Sequence, residues 1–233
     1  MMTSTLITTM KRSRGILAVL LLIITGQPGQ SAAAPHRRGD TVPLKEHLGR
    51  DWANELIHYD YAFTPGEWRA ADARMVDASG KEVPAQLSAV TKHPDGSIQN
   101  AQVWFLISLK PGEVTQFKLQ PGQSTAGSEL KVSRVGDRVE INNGLVGARF
   151  HIGEQQFASP VRASEVPTFL WAVQLRGGTW TGRGWFETPK KCRSYKVALV
   201  ESGPAFARVA FEYRRAQASY NSEYRETSLR FRT

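Results

Sequence analysis

The sequence predicts an all-β protein of the sandwich or barrel type. Three observations predict it: apolar residues recur with a period of two in several separate runs; turn-forming residues divide those runs at intervals of roughly 8–12 residues; and no stretch beyond residue 34 carries the 3.6-residue periodicity of an amphipathic helix.

Residues 1–34 are set apart from that pattern. Lys11, Arg12 and Arg14 precede an apolar stretch from Ile16 to Ile24, and Ser31-Ala32-Ala33-Ala34 supplies a small-residue exit. This is the three-part plan of a cleaved signal peptide. The apolar run is about half the roughly 20 residues a spanning helix needs, and Gly26, Pro28 and Gly29 end it, so no stable membrane span is expected after cleavage. Lys-Arg-Ser-Arg is not a clear twin-arginine motif, and no cysteine stands at the cleavage point for lipid attachment. The expected destination is the periplasm or the exterior.

Residues 35–54 are polar and read as an irregular lead-in, with at most a helical turn over Leu44 to Leu48. Alternation begins at Ile57, Tyr59, Tyr61 and Phe63, which sends one side chain in two toward a core. It returns in Ala101, Val103, Phe105, Ile107 and Leu109, in Val139 and Ile141, and in Phe169, Trp171, Val173 and Leu175. Between the runs lie Thr64-Pro65-Gly66, Asp77-Ala78-Ser79-Gly80, His93-Pro94-Asp95-Gly96, Lys110-Pro111-Gly112, Gly136-Asp137 and Asn142-Asn143-Gly144. Glycine and asparagine tolerate positive φ, and proline presets a turn. The polar stretch 122–128 reads as a flexible linker between a β domain at 55–121 and a second at 129–233. In the second, Ala207, Val209, Phe211 and Tyr213 and then Thr227, Leu229 and Phe231 predict paired strands. The alternation runs to Thr233 with no turn or polar tail, so the expectation is a sandwich cut short within a longer chain.

The formal net charge is +9, and loss of residues 1–34 removes three basic residues and no acidic one, leaving +6. That sign favours acidic partners, such as uronate-containing polysaccharides or anionic envelope polymers, through attraction that salt weakens. The basic residues are scattered apart from Lys190-Lys191-Cys192-Arg193, so no nucleic-acid partner is expected. Cys192 is the only cysteine, which excludes an intrachain disulfide and any multi-cysteine metal site and predicts a structural, partly buried thiol.

Gly80-Lys81-Glu82-Val83-Pro84-Ala85-Gln86, followed by Pro94-Asp95-Gly96-Ser97-Ile98 and Val103-Trp104-Phe105, resembles the N-terminal RIFT-type β-barrel of exo-rhamnogalacturonan lyase and YetA-like bacterial proteins. In that family a G-x-x-V-P-x-Q phrase ends one strand, and a P-D-G-S turn starts the next long one. Val139 to Leu145 and Val200-Glu201-Ser202-Gly203-Pro204 resemble the opening of a galactose-mutarotase-like supersandwich of glycosidases and polysaccharide lyases. The resemblance implies a small β-barrel followed by an antiparallel β-sandwich, in a larger secreted enzyme whose catalytic domain lies further along the same chain. It carries over no catalytic residue. The same phrases suit plain architecture, since Asp95-Gly96 and Asn143-Gly144 fit tight hairpins and Pro84 fits a strand edge.

Chemistry is sparse. Glycoside hydrolysis needs a carboxyl pair flanking the bond, and no spacing singles out a pair among Glu154, Glu165, Glu187 and Glu201. A lyase needs a base and a cation beside the sugar carboxylate, and nothing assembles Tyr195, His151 and the arginines. His36, His47, His58, His93 and His151 show no metal-binding spacing. We therefore assign no catalytic residue, metal ligand or cofactor. One segment stands out: Arg176 to Phe186 presents Trp180, Arg183 and Trp185 among glycines. Indole faces stack on sugar rings and guanidinium forks match carboxylates, which makes these three the candidate substrate-binding residues; packing of both tryptophans across a sheet is the other reading. The leading expectation is a non-catalytic scaffold or substrate-orienting region of a polysaccharide-degrading enzyme. The alternatives are a stand-alone carbohydrate-binding or envelope-interaction module and a purely structural β domain.

Overall fold

A computed structural model of the chain describes residues 34–69, 73–122, 124–176, 178–186, 188–216 and 227–232. The expected signal peptide therefore lies, apart from Ala34, outside the described residues. The first half contains β1 (His36–Arg37), β2 (Thr41–Lys45), β3 (Trp52–Ala62), β4 (Ala73–Asp77), β5 (Glu82–Val83), β6 (Ala85–Lys92), β7 (Ile98–Leu109) and β8 (Val114–Pro121). The second contains β9 (Lys131–Val135), β10 (Arg138–Asn142), β11 (Val146–His151), β12 (Gly153–Arg162), β13 (Leu170–Leu175), β14 (Lys191–Ser202), β15 (Phe206–Ala216) and β16 (Thr227–Arg232). The only helical piece among the described residues is a 3-10 turn at Ala163–Glu165.

The strands form four sheets, ordered β1-β3-β7-β6, β2-β8-β4-β5, β13-β11-β10-β9 and β12-β14-β15-β16. All pairs are antiparallel except the short parallel contact of β1 with β3. The fold is all-β, as the alternation predicts. Tyr61, Met75, Val103, Phe105, Phe117 and Leu119 fill one core between the first two sheets. Val139, Ile141, Phe150, Val197, Ala207 and Val209 fill another between the last two. The alternating runs of β3, β7, β10 and β15 thus each supply one face of a sheet to a core.

Two readings of the sequence need correction. Residues 35–54 are not an irregular lead-in: β1 and β2 lie within them, and Leu44 is in a strand that pairs with β8. Pro43 obscured this, yet β2 is an edge strand, where a missing amide is tolerated. The linker, too, is tied down. Thr125 donates from its amide and hydroxyl to Glu82 Oε2 at 2.8 and 2.9 Å, and Ser128 Oγ donates to the Pro204 carbonyl at 2.7 Å.

The two halves meet on the far side of β7. Ala101, Val103, Phe105, Ile107 and Leu109 face the first core, but Trp104 and Leu106 on the opposite face are buried as well. Trp104 packs with Ala205, Phe206 and Leu56 in a third cluster, its ring 5.4 Å from that of Phe206. Beside it the Gln86 side-chain oxygen accepts from the amides of Ala205 and Phe206 at 3.1 and 3.0 Å. A Cβ at Gly203 would collide with the Gln86 carboxamide, so the turn needs a glycine there for close approach. Ser88 Oγ donates to Glu201 Oε1 at 2.6 Å, and Glu201 Oε2 lies 2.9 Å from Arg208 Nε.

Gln86→Ala would leave two amide donors at the seam without their acceptor, and an unmade buried hydrogen bond costs about 1–3 kcal/mol. Urea unfolding is expected to show a loss in that range; a change below about 0.5 kcal/mol would mean the cap carries no stability. A second buried polar group, Glu46, accepts from the amides of Gly112, Leu48 and Gly49 and from the Trp52 indole at 2.6–3.2 Å. The Gly112 amide, followed by the Trp52 indole and the Leu48 and Gly49 amides, outweighs burial and holds its pKa at about 2, against an ordinary 4.5. A depressed folded-state pKa stabilises fully above the unfolded value and is lost as pH falls through the folded one. Glu46→Gln should therefore lower Tm at neutral pH and flatten the decline of Tm between pH 4.5 and 2; an unchanged decline would assign the acid sensitivity elsewhere.

Candidate functional site

The 178–186 segment is a strand-like return along β13, not a free loop. Val173 and Thr181 exchange backbone hydrogen bonds of 2.9 and 2.8 Å, and the Gly184 amide donates to the Leu170 carbonyl at 3.2 Å. Thr168 Oγ1 donates to the Leu170 and Gly184 carbonyls at 3.0 and 3.1 Å. A Cβ at Gly184 would stand 2.6 Å from the Leu170 carbonyl oxygen, so glycine allows the backbones to approach. Glycine here serves close packing rather than mobility.

The pinned segment separates the three candidate residues. Trp180 is half-buried against β11: a Cβ at Gly147 would lie 2.9 Å from its ring. The Arg149 guanidinium lies 4.0 Å from the Trp180 ring centroid and is itself held by Glu140 at 2.6 Å. One indole face is thus occupied by a protein cation, and Trp180 serves the fold. Trp185 is the opposite case, with 76% of its surface exposed. Arg183 lies 4.8 Å from the ring centroid of Trp171.

Arg183 and Trp185 share a groove of about 430 Å³ with Trp171, Ser164, Thr168 and Phe186. Phe186 packs edge-on to Tyr213, whose hydroxyl donates to the Pro167 carbonyl at 2.9 Å and so fixes the groove wall. Arg183 has no carboxylate partner among the described residues. A second guanidinium, from Arg138, stacks on Trp171 at 4.0 Å. Next to it, Asp137 Oδ2 is 3.1 Å from His151 Nδ1 and Asp137 Oδ1 is 3.7 Å from Arg138 Nε.

Trp171 is the groove residue that alternation misplaces. Counting from Phe169 and Val173 puts it toward the core, but the β11–β13 register shifts between Arg149 and Phe150, which pair with Ala172 and Leu170. Trp171 is left between them as the bulged residue and turns toward Arg138 and Arg183. Phe169 to Val173 are five consecutive apolar residues, so the sequence does not mark which of them the bulge redirects.

The other chemical candidates serve structure. Glu201 belongs to the seam, Glu154 pairs with Lys196 at 3.1 Å on the surface, and Tyr195 is buried in the second core, where desolvation and the Asp137 charge raise its pKa. Glu187 lies outside the described residues. His93 Nε2 is 2.9 Å from the Phe63 carbonyl oxygen, and Cys192 is buried, with a thiol pKa pushed up by desolvation. The described residues contain no cluster of three potential metal ligands. No protein-family model matches the chain, and no curated protein matches it.

The two tryptophans should respond differently to truncation. Trp180→Ala removes half-buried surface and a cation–π contact and is expected to cost about 1–3 kcal/mol. Trp185→Ala should stay within about 0.5 kcal/mol of the parent. Equal effects in thermal unfolding would contradict the division into a structural and a presented indole.

Proposed function

We propose that the chain is a non-catalytic β region of a secreted polysaccharide-degrading enzyme, and that the groove of Trp171, Arg183 and Trp185 contacts an acidic polysaccharide. One observation carries the reading: a presented indole and a guanidinium without a carboxylate partner flank one groove on a pinned backbone. An indole face offers a sugar ring an apolar surface, while a guanidinium fork offers a uronate carboxylate paired donors. The formal charge of +6 beyond residue 34 draws such a polymer in. The resemblance of the 80–86 and 94–98 phrases to the start of exo-rhamnogalacturonan lyase-type proteins supports the setting, in which another part of a longer chain supplies catalysis.

Binding to polygalacturonate and to a neutral galactan, measured by affinity electrophoresis or calorimetry, tests this. The acidic polymer is expected to bind more tightly and to weaken as salt rises. Trp185→Ala and Arg183→Gln should each reduce its affinity by about tenfold, which is about 1.4 kcal/mol, with Tm unchanged. Absence of binding, or binding indifferent to both substitutions, would reject the groove as the contact.

A further inference from the structure

A separate cleft of about 550 Å³ is lined by residues of β9, β10, β12 and β14. β9 and β12 are the edge strands of their sheets, so the cleft lies along an open side of the second sheet pair. Its apolar lining is core surface: Val139, Ile152 and Val197 are buried, and Val132 and Leu199 pack against the same core. Its volume falls within the roughly 300–1,000 Å³ of small-molecule sites.

A cation stands at the rim of this cleft, on the core side of its sheet. Arg134 of β9 sits directly opposite Val139 of β10, and directly paired residues of an antiparallel ladder project to the same face. Val139 is 2% exposed, so Arg134 lies on the core side of its sheet, and, being itself exposed at the sheet edge, it lines the cleft at its open rim. Lys196 on the same cleft is neutralised by Glu154 at 3.1 Å, whereas Arg134 has no carboxylate partner among the described residues. An unmatched guanidinium beside apolar side chains, with the Ser133 and Ser202 residues alongside, fits a ligand that is apolar over most of its length and anionic at one end.

We propose that this cleft binds a small amphipathic anion, its aliphatic or aryl body against Val139, Ile152 and Leu199 and its carboxylate or sulfonate on Arg134. A charge on the core side of an edge strand also discourages edge-to-edge association. That role alone requires no ligand, and the two are separable by experiment.

The full chain is titrated with 8-anilinonaphthalene-1-sulfonate, followed by fluorescence, and the dye is then displaced with decanoate or with decanol. Saturable binding of one dye per chain is expected, with decanoate displacing it at concentrations about tenfold below decanol. Arg134→Gln should weaken dye and decanoate about tenfold with no change in Tm, and Arg134→Lys should retain affinity to within about threefold. Three outcomes would overturn the proposal: no saturable 1:1 binding, equal potency of decanol and decanoate, or full affinity in Arg134→Gln, whether or not that variant self-associates.

Discussion

The Gln86 carboxamide and the Trp104–Phe206 contact determine how the rest of the molecule is held. β7 is a central strand whose two faces serve two different burial surfaces: one closes the first core, and the other receives Phe206 from β15. Phe206 is fully buried, and burying a phenylalanine contributes about 1.5–3 kcal/mol. The hydrophobic contact is non-directional, so its register comes from polar groups. Gln86 takes the place of a backbone acceptor for two consecutive amides, Ser88 reaches Glu201 from the first half, and Ser128 of the linker reaches Pro204. Buried donors matched this closely allow one docking geometry, because every shifted arrangement leaves some of them unpaired.

That seam joins two distant stretches of the sequence, 80–86 and 200–204. Gln86 closes the first, and the turn at Gly203-Pro204 closes the second. They lie 117 residues apart in the chain, counted from Gln86 to Gly203, yet they form one contact. The P-D-G-S phrase is architectural in the same sense. Ser97 is fully buried, its amide bonds to Asp95, and its hydroxyl accepts from the Gly66 amide at 2.9 Å. The Ser97 hydroxyl and amide in turn hold the Asp95 carboxyl below its usual pKa.

The legibility of the sequence follows from how many faces each strand buries. β10 buries one face and shows clean alternation, whereas β3 and β7 betray a second buried face by adding Leu56, and Trp104 and Leu106, to their runs. β12 shows no alternation because it is an edge strand with few apolar residues, with a register shift between Gln156 and Val161 around Pro160. β2 escaped for a related reason, since an edge position tolerates Pro43. In the candidate site, composition pointed to Arg183 and Trp185 but not to Trp171, which a bulge redirects, and Trp180 looked equivalent to Trp185 until Arg149 and Gly147 were seen to enclose it. Bulges and cross-strand neighbours are tertiary facts, and neither has a local signature. The consequence for recognition is favourable: a groove on a pinned backbone loses less conformational freedom on binding than one on a free loop.

The central claim is that the seam makes one cooperative body of two β halves that share no strand. Differential scanning calorimetry of the full chain tests it most directly. The account predicts a single endotherm whose calorimetric and van't Hoff enthalpies agree. Two separable transitions, one assignable to residues up to 121 and the other to residues from 129, would contradict it.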